Sequence, residues 1–390
     1  MPESMPAREL HRDEIVSRMD GLLRPNAAEP DRTDAFLPSP VVQNHAANLA
    51  FLPDGSLACV WFGGTMEGMG DISVWMSTLA PGSDRWSAAR QLTDDSQRSE
   101  QNPVLFNAPD GAVWLFHTSQ PGGRQDECRI VARVSADGGA SFGPPRQIGE
   151  TRGVFVRQPL RLGPAGEWLL PGFHCIATPG ARWTGDRDLA VMLVSRDAGQ
   201  SWQTVAVPDS TGAVHMNPLP ARNGVMPAFY RDRFAQSVRR SLSHDGGLSW
   251  SAPEPTVLPN NNSSVQAVRL RDGRIAMVLN PVNAAMSADR RASLYDEIEG
   301  EGDAPHGTGG AIWGVPRAPM TLAISPDEGD SFPVMRNLET GPGTCLSNNS
   351  QDAVNREFSY PSILQGPDGA LHIAYTYHRR AIRYVRLESV

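Results

Sequence analysis

Four eight-residue segments of this 390-residue chain are spelled almost alike: SADGGASF at 135–142, SRDAGQSW at 195–202, SHDGGLSW at 243–250 and SPDEGDSF at 325–332. All read Ser-x-Asp-x-Gly-x-Ser followed by Trp or Phe. An Asp in such a box accepts bonds from nearby backbone N–H groups and fixes a turn. The Gly supplies a permissive backbone and the aromatic plugs an apolar layer. Each box brings a single carboxylate, with no Glu at the distance a calcium loop requires. The box therefore reads as a structural turn, repeated because a supersecondary unit is repeated.

A second repeat accompanies it. Apolar runs flank short turns that end in Gly55, Gly111, Gly166, Gly224, Gly273 and Gly369, spaced by 56, 55, 58, 49 and 96 residues. Turns of the Asp-Gly or Asn-Gly kind between apolar runs are strong hairpin signals. A unit of about 50 residues holds about four short strands, the size of a propeller blade. Six hairpins predict an all-β, six-bladed β-propeller spanning 36–390, after an N-terminal extension over 1–35. The boxes follow the hairpins of blades two to five, and PGSDRWS at 81–87 is a degenerate box in blade one. Blade six ends the chain at AIRYVRLESV, too early for a fourth strand, so a strand near 36–43 is expected to complete blade six and close the ring. The long gap in blade five predicts an insertion over 282–318, and an approximate apolar stripe over 7–23 predicts a helix that packs on the propeller or on a second subunit.

Composition narrows the function classes. A net charge of −8 argues against nucleic-acid binding. Cys59, Cys128, Cys175 and Cys345 lie far apart, without metal-site spacing, and fit buried thiols in a reducing compartment. The polar N-terminal stretch lacks the apolar core of a signal peptide, so a cytoplasmic protein is expected. No cofactor or metal is expected.

In a four-stranded blade, the loops after strands one and three share one face, which here carries the hairpins and the boxes. The opposite face carries the starts of the innermost strands: QNHAAN, RSEQNP, FVRQP, VHMNP, NNNSSVQ and NREFSYP. It also carries the polar loops after strand two, among them GGTMEGMGD, YRDRFAQSVRR and YTYHRR. Inner strands surround one axis, so these sequence-distant groups should converge there, which is a functional-site pattern.

Four boxes on six hairpin units resemble the sialidase superfamily, whose members are six-bladed propellers with such Asp boxes. The resemblance covers roughly residue 44 to the C-terminus. Stretches such as WFGGTMEGMGDISVW, SEQNPVLF, RASLYDEIE and NREFSYPSI are most similar to its sialidase-like, BNR-repeat group. The resemblance implies three arginines on a substrate carboxylate, a Tyr–Glu pair as nucleophile and an Asp as acid. The family's first arginine sits in an Arg-Ile-Pro-like segment, where this chain has QNHAAN with His45. A histidine there resembles the sialidase-like propellers that cleave rhamnose from glucuronate by β-elimination, which implies a lone catalytic His with arginines on the uronate.

His45 is the first catalytic candidate, because neutral imidazole exchanges protons near pH 7. Glu67 and Asp71 lie in the loop after the second strand of blade one, where a carboxylate would orient the imidazole or act as acid or base. Tyr360 with Glu357 is the best match to a Tyr–Glu pair, although their spacing on one loop departs from the family's arrangement. Arg98, Arg157 and Arg356 begin three different blades and suit a bidentate carboxylate contact, with Arg240 as a fourth. Gln101, Asn102, Gln158, His215, Asn217 and Asn262 are candidates for substrate contacts, and His215 and His174 rank second to His45 for the proton role. Together these predict an enzyme that cleaves a terminal glycosidic bond of an acidic oligosaccharide, by hydrolysis or by elimination. A non-catalytic glycan-binding propeller and a scaffold that oligomerises through the N-terminal helix or the blade-five insertion are the alternatives.

Overall fold

The structure is a computed structural model that describes residues 12–291, 310–341, 343–346 and 356–389. Strands alternate with tight turns throughout, and the left-handed glycines at the hairpins set the rhythm. Gly55, Gly111, Gly166, Gly224, Gly273 and Gly369 all have φ between 77° and 93°, a region that costs glycine little and other residues more.

Six antiparallel sheets result. Blade one pairs Gln43–Phe51, Leu57–Gly64, Ser73–Leu79 and Arg90–Gln91, from the axis outward. Blade two pairs Ser99–Asn107, Val113–Gln120, Arg129–Ser135 and Arg146–Ile148. Blade three begins with a split inner strand, Val154–Val156 and Arg161–Leu162, followed by Trp168–His174, Leu189–Ser195 and Gln203–Ala206. Blade four runs Ala213–Pro218, Met226–Asp232, Ser237–Ser243 and Glu254–Pro259. Blade five runs Gln266–Arg269, Ile275–Leu279, Met320–Ser325 and Val334–Glu339. Blade six combines Phe358–Gln365, Leu371–Tyr377 and Ala381–Leu387 with the N-terminal strand Arg32–Phe36, edged by Arg24–Pro25.

The ring therefore closes as expected, but through Arg32–Phe36 rather than a strand near 36–43. Register explains the choice: Ala35 and Phe36 pair with Tyr384 and Arg383 and bury against the blade-six core, whereas 38–42 are without strand structure. The helix spans only Arg12–Arg18. It cannot run on to residue 23, because Gly21 turns left-handed at φ 75° and docks on blade one, its carbonyl accepting from the Trp86 amide at 3.0 Å. Residues 7–11 and the middle of the expected insertion, 292–309, lie outside the described residues.

Among the described residues, six of the apolar clusters form a ring, each shared by two adjacent blades. Trp61 and Tyr384 join blades one and six, Ala58 and Leu115 blades one and two, and Phe116 and Trp168 blades two and three. Met192 and Tyr230, Phe229 and Met277, and Met320 and Phe358 join the remaining neighbours. No blade buries its apolar faces alone, so closure and stability are coupled.

The boxes occupy the turns after the third strands, as read from the sequence. In blade four, Asp245 accepts from the Ser243 hydroxyl at 2.8 Å, the Ser249 amide at 2.9 Å and the Ser249 hydroxyl at 2.6 Å. The Ser243 hydroxyl accepts from the Gly247 amide at 2.8 Å, and the Trp250 indole donates to the Gly247 carbonyl at 3.0 Å. Asp137, Asp197 and Asp327 make the same bonds to their serines.

Candidate functional site on the face opposite the boxes

The innermost strands share a local irregularity at the end opposite the boxes. In blades one, two, four and six the register slips between His45 and Asn48, Gln101 and Val104, Val214 and Asn217, and Ser359 and Ser362. Each bulge contains a left-handed residue, namely Ala46, Asn102, His215 and Tyr360, with φ of 62°, 52°, 56° and 50°. Asn262 at the start of blade five has φ 56°. Bulges re-aim side chains, and non-glycine residues held left-handed cluster at functional sites.

Tyr360 is the centre of the cluster. It is buried, and its hydroxyl accepts from Arg231 Nη1 at 2.7 Å. The guanidiniums of Arg157, Arg231 and Arg317 stand 5.4, 5.7 and 5.6 Å from its ring centroid. Burial pulls its pKa up, but the charges of Arg231 and Arg317 outweigh it and set the hydroxyl below its ordinary value. The His45 ring lies 4.2 Å from the Tyr360 ring and the His215 ring 5.4 Å from it.

A buried charge network flanks the tyrosine. Glu357 accepts from Arg317 Nη1 at 2.9 Å, Arg379 Nε at 3.1 Å and the Ser359 hydroxyl at 2.6 Å. Burial opposes its ionisation, yet Arg317 and Arg379 hold it well below the usual carboxylate range. Arg379 also pairs with the buried carboxylate of Glu67. His45 is fully buried; its Nδ1 lies 2.9 Å from the Thr376 hydroxyl and 3.9 Å from Glu357. Burial, reinforced by Arg379, drives its pKa well below 6.5, so the ring is neutral. Burial and then Arg231 do the same to His215.

The structure thus brings His45, Glu67, Glu357, Tyr360, His215 and Arg157 together, and Asn262 joins them by accepting from Arg231 Nε at 2.7 Å. Other candidates have different partners. Asp71 is exposed and holds its own turn through the Thr65 amide and hydroxyl, both at 2.9 Å. Arg98 is committed to the Ser119 hydroxyl and carbonyl at 2.7 and 2.8 Å, and Arg356 to the carbonyls of Thr340 and Gly341. Arg240 faces the boxes, bonding the Glu328 carbonyl at 2.9 Å and pairing with Asp330. Gln158 braces blade three against blade five through the Val265 carbonyl at 2.8 Å, and Asn217 braces blade four against blade five by accepting from the Ala267 amide at 2.6 Å. Gln101 donates to Ser99 at 3.0 Å, and Asn102 is buried in its bulge. His174 is half-buried at the end of its strand.

Four arginines of this face were not singled out from the sequence: Arg231, Arg233, Arg317 and Arg379. Arg231 lies at the end of a second strand, and Arg233, Arg317 and Arg379 lie in the connections after second strands, rather than at the starts of the inner strands. Arg231 and Arg233 are two residues apart at a strand end, a spacing that sends both side chains to one side. Arg233 forms a buried pair with Asp188, bonded at 2.9 and 2.6 Å, and stands 5.4 Å from the Trp183 ring and 5.1 Å from the Trp313 ring.

Comparison with known proteins places these features in context. A model of the BNR repeat-like domain matches residues 55–373. A Hadza microbial sialidase structure aligns with a TM-score of 0.65 at 13% identity, covering 89% of this chain and 66% of that one. A protein of unknown function from Dyadobacter fermentans aligns with a TM-score of 0.65 at 15% identity, covering 92% and 98%. The NanB sialidase from Streptococcus pneumoniae aligns with a TM-score of 0.62 at 12% identity, covering 89% and 68%. This chain thus spans about two thirds of the length of the two sialidases, and identities this low establish a shared fold alone. Curated proteins return no match.

Proposed function

We propose, from the premise that this chain belongs to the BNR repeat-like domain family and has the sialidase fold, that it cleaves a terminal glycosidic bond of an acidic saccharide at Tyr360. The observation that carries this reading is a charge imbalance. Arg317 and Arg379 are matched by Glu357 and Glu67, and Arg233 by Asp188. Arg231 is buried to 1% exposure, yet its bonds go to Tyr360 and Asn262, and its Nη2 has no partner among the described residues. A buried guanidinium without a carboxylate is costly, and a substrate carboxylate would supply the missing partner.

In this reading Arg231 binds the acid group and, through the same guanidinium, favours the ionised Tyr360 hydroxyl. That oxygen reacts with the sugar held beside it. Attack at the anomeric carbon forms a carbon–oxygen bond as the bond to the leaving group breaks; the leaving oxygen takes a proton and water later releases the sugar. If Tyr360 instead takes the C5 proton next to the uronate carboxylate, the C4–O bond to the leaving group breaks as the C4=C5 double bond forms, the leaving oxygen takes a proton from water, and the product is an unsaturated uronate with no bond to the protein. Neutral His45 packs on Tyr360, with its Nε2 unpartnered among the described residues. Glu357 keeps Arg317 and Arg379 in place.

The test is a panel of sialosides, glucuronides and rhamnosyl-glucuronides offered to the wild type, His45→Ala and Tyr360→Phe. Turnover of an acidic glycoside that Tyr360→Phe abolishes supports the reading, and ultraviolet absorbance of the product separates elimination from hydrolysis. Binding without turnover of any member would instead indicate a glycan-binding propeller.

A further inference from the structure

Arg157 differs from Arg231 in what its guanidinium reaches: its Nη2 is committed to backbone carbonyls, while its Nε and Nη1 have no partner among the described residues. It is 1% exposed and belongs to blade three, at the break in the inner strand. In a ring of six, the third and sixth blades face each other across the axis. Arg157 spans that distance: its Nη2 lies 2.9 Å from the Tyr360 carbonyl, 3.0 Å from the Pro361 carbonyl and 3.0 Å from the Ala47 carbonyl of blade one. Its guanidinium also stands 5.4 Å from the Tyr360 ring. No carboxylate pairs with it among the described residues.

These three carbonyls belong to two of the bulges described above, those that carry left-handed Tyr360 and left-handed Ala46. A left-handed tyrosine costs about 1–2 kcal/mol relative to an ordinary backbone, so the bulge persists only where its surroundings over-determine it. Charge-assisted bonds to the carbonyls of Tyr360 and Pro361 provide that restraint, and they are stronger than neutral ones. The same contact ties His45 to Tyr360 indirectly, because Ala47 belongs to the bulge that begins at His45.

We infer that Arg157 is a positioning residue, a brace across the propeller axis that holds the Tyr360 bulge so that the hydroxyl meets Arg231. This inference rests on the reading of Tyr360 as the reacting group. Arg157 itself acts through backbone and leaves the substrate to Arg231.

The experiment follows the phenolate absorbance of Tyr360 during a pH titration, assigned by its loss in Tyr360→Phe. The wild type should show one tyrosine titrating below the others. Arg157→Lys and Arg157→Met should move that midpoint up by roughly one pH unit, with Lys showing the smaller shift. Adding Arg231→Met to Arg157→Met should then change it little, since the first substitution has already separated the two groups. A folded Arg157 variant whose Tyr360 midpoint is unchanged overturns the brace. A wild type without any low-titrating tyrosine overturns the underlying reading instead. Should neither variant fold, arginine side-chain NMR of the wild type decides: one guanidinium with slowly exchanging Nη protons that shift with the Tyr360 titration supports the brace, and its absence contradicts it.

Discussion

Arg231 Nη1 donates to the Tyr360 hydroxyl at 2.7 Å, while its Nε donates to Asn262 at 2.7 Å. One guanidinium thus joins the starts of blades five and six without touching a carboxylate. Arg231→Met should weaken binding of an acidic sugar by about 10- to 100-fold, the equivalent of one lost charge-assisted bond. It should also raise the Tyr360 midpoint. Calorimetric titration checks the first and ultraviolet titration the second.

Glu357 neutralises Arg317 and Arg379 in a dry environment. Glu357→Ala leaves two buried cations with only Glu67 between them and should cost about 3–5 kcal/mol of stability, measured by urea denaturation. The folded pKa of Glu357 lies below its unfolded value. Its contribution is therefore complete above about pH 4.3 and disappears as the pH falls through the lowered value. The wild type should lose more stability over that acid range than the variant does.

Ala198 sits in a box at φ 53°, where two other boxes have Gly138 and Gly246 at 70° and 76°. It is exposed, so losing its methyl forfeits no packing. Ala198→Gly should stabilise the protein by about 0.5–1 kcal/mol because glycine tolerates this backbone without strain. Thermal denaturation reads it as a raised midpoint. A lowered midpoint would contradict the conformational argument.

Asp245 supports its turn from the face away from Tyr360. Burial works against its ionisation, but the Ser249 and Ser243 bonds outweigh it and hold the pKa down to about 2. Asp245→Ala should cost about 1 kcal/mol, like a lost helix cap, and leave acidic-sugar affinity unchanged. The stabilisation from Asp245 is present above about pH 3.9 and fades as the pH falls toward its folded value. Altered affinity in this variant would mean that the two faces are coupled.

The architecture was legible because it repeats. Six Gly turns counted the blades, and four Asp boxes fixed which face they share, so the opposite face could be identified from strand parity alone. Individual contacts were less so. His45, Glu357 and Tyr360 were found because they begin inner strands. Arg231, Arg317 and Arg379 were passed over because they end second strands or lie in the long blade-five connection, and only the register of the bulges brings them to Tyr360. Arg98 and Arg356 begin strands too, but backbone carbonyls and a serine hydroxyl claim their guanidiniums. Sequence spacing gives a residue's level along the axis and not which neighbour claims its side chain. The left-handed bulges, which aim Tyr360 and His215, have no sequence signature as clear as the glycine turns.

In the proposed reading, the unmatched charge of Arg231 beside Tyr360 holds a saccharide carboxylate. The direct measurement is calorimetric binding of a free uronate or sialate and of its methyl ester to the wild type and to Arg231→Met. The wild type should bind the free acid at least about tenfold more tightly than the ester, and Arg231→Met should bind both equally weakly. Equal affinity of the wild type for acid and ester, or an undiminished preference for the acid in Arg231→Met, would contradict it.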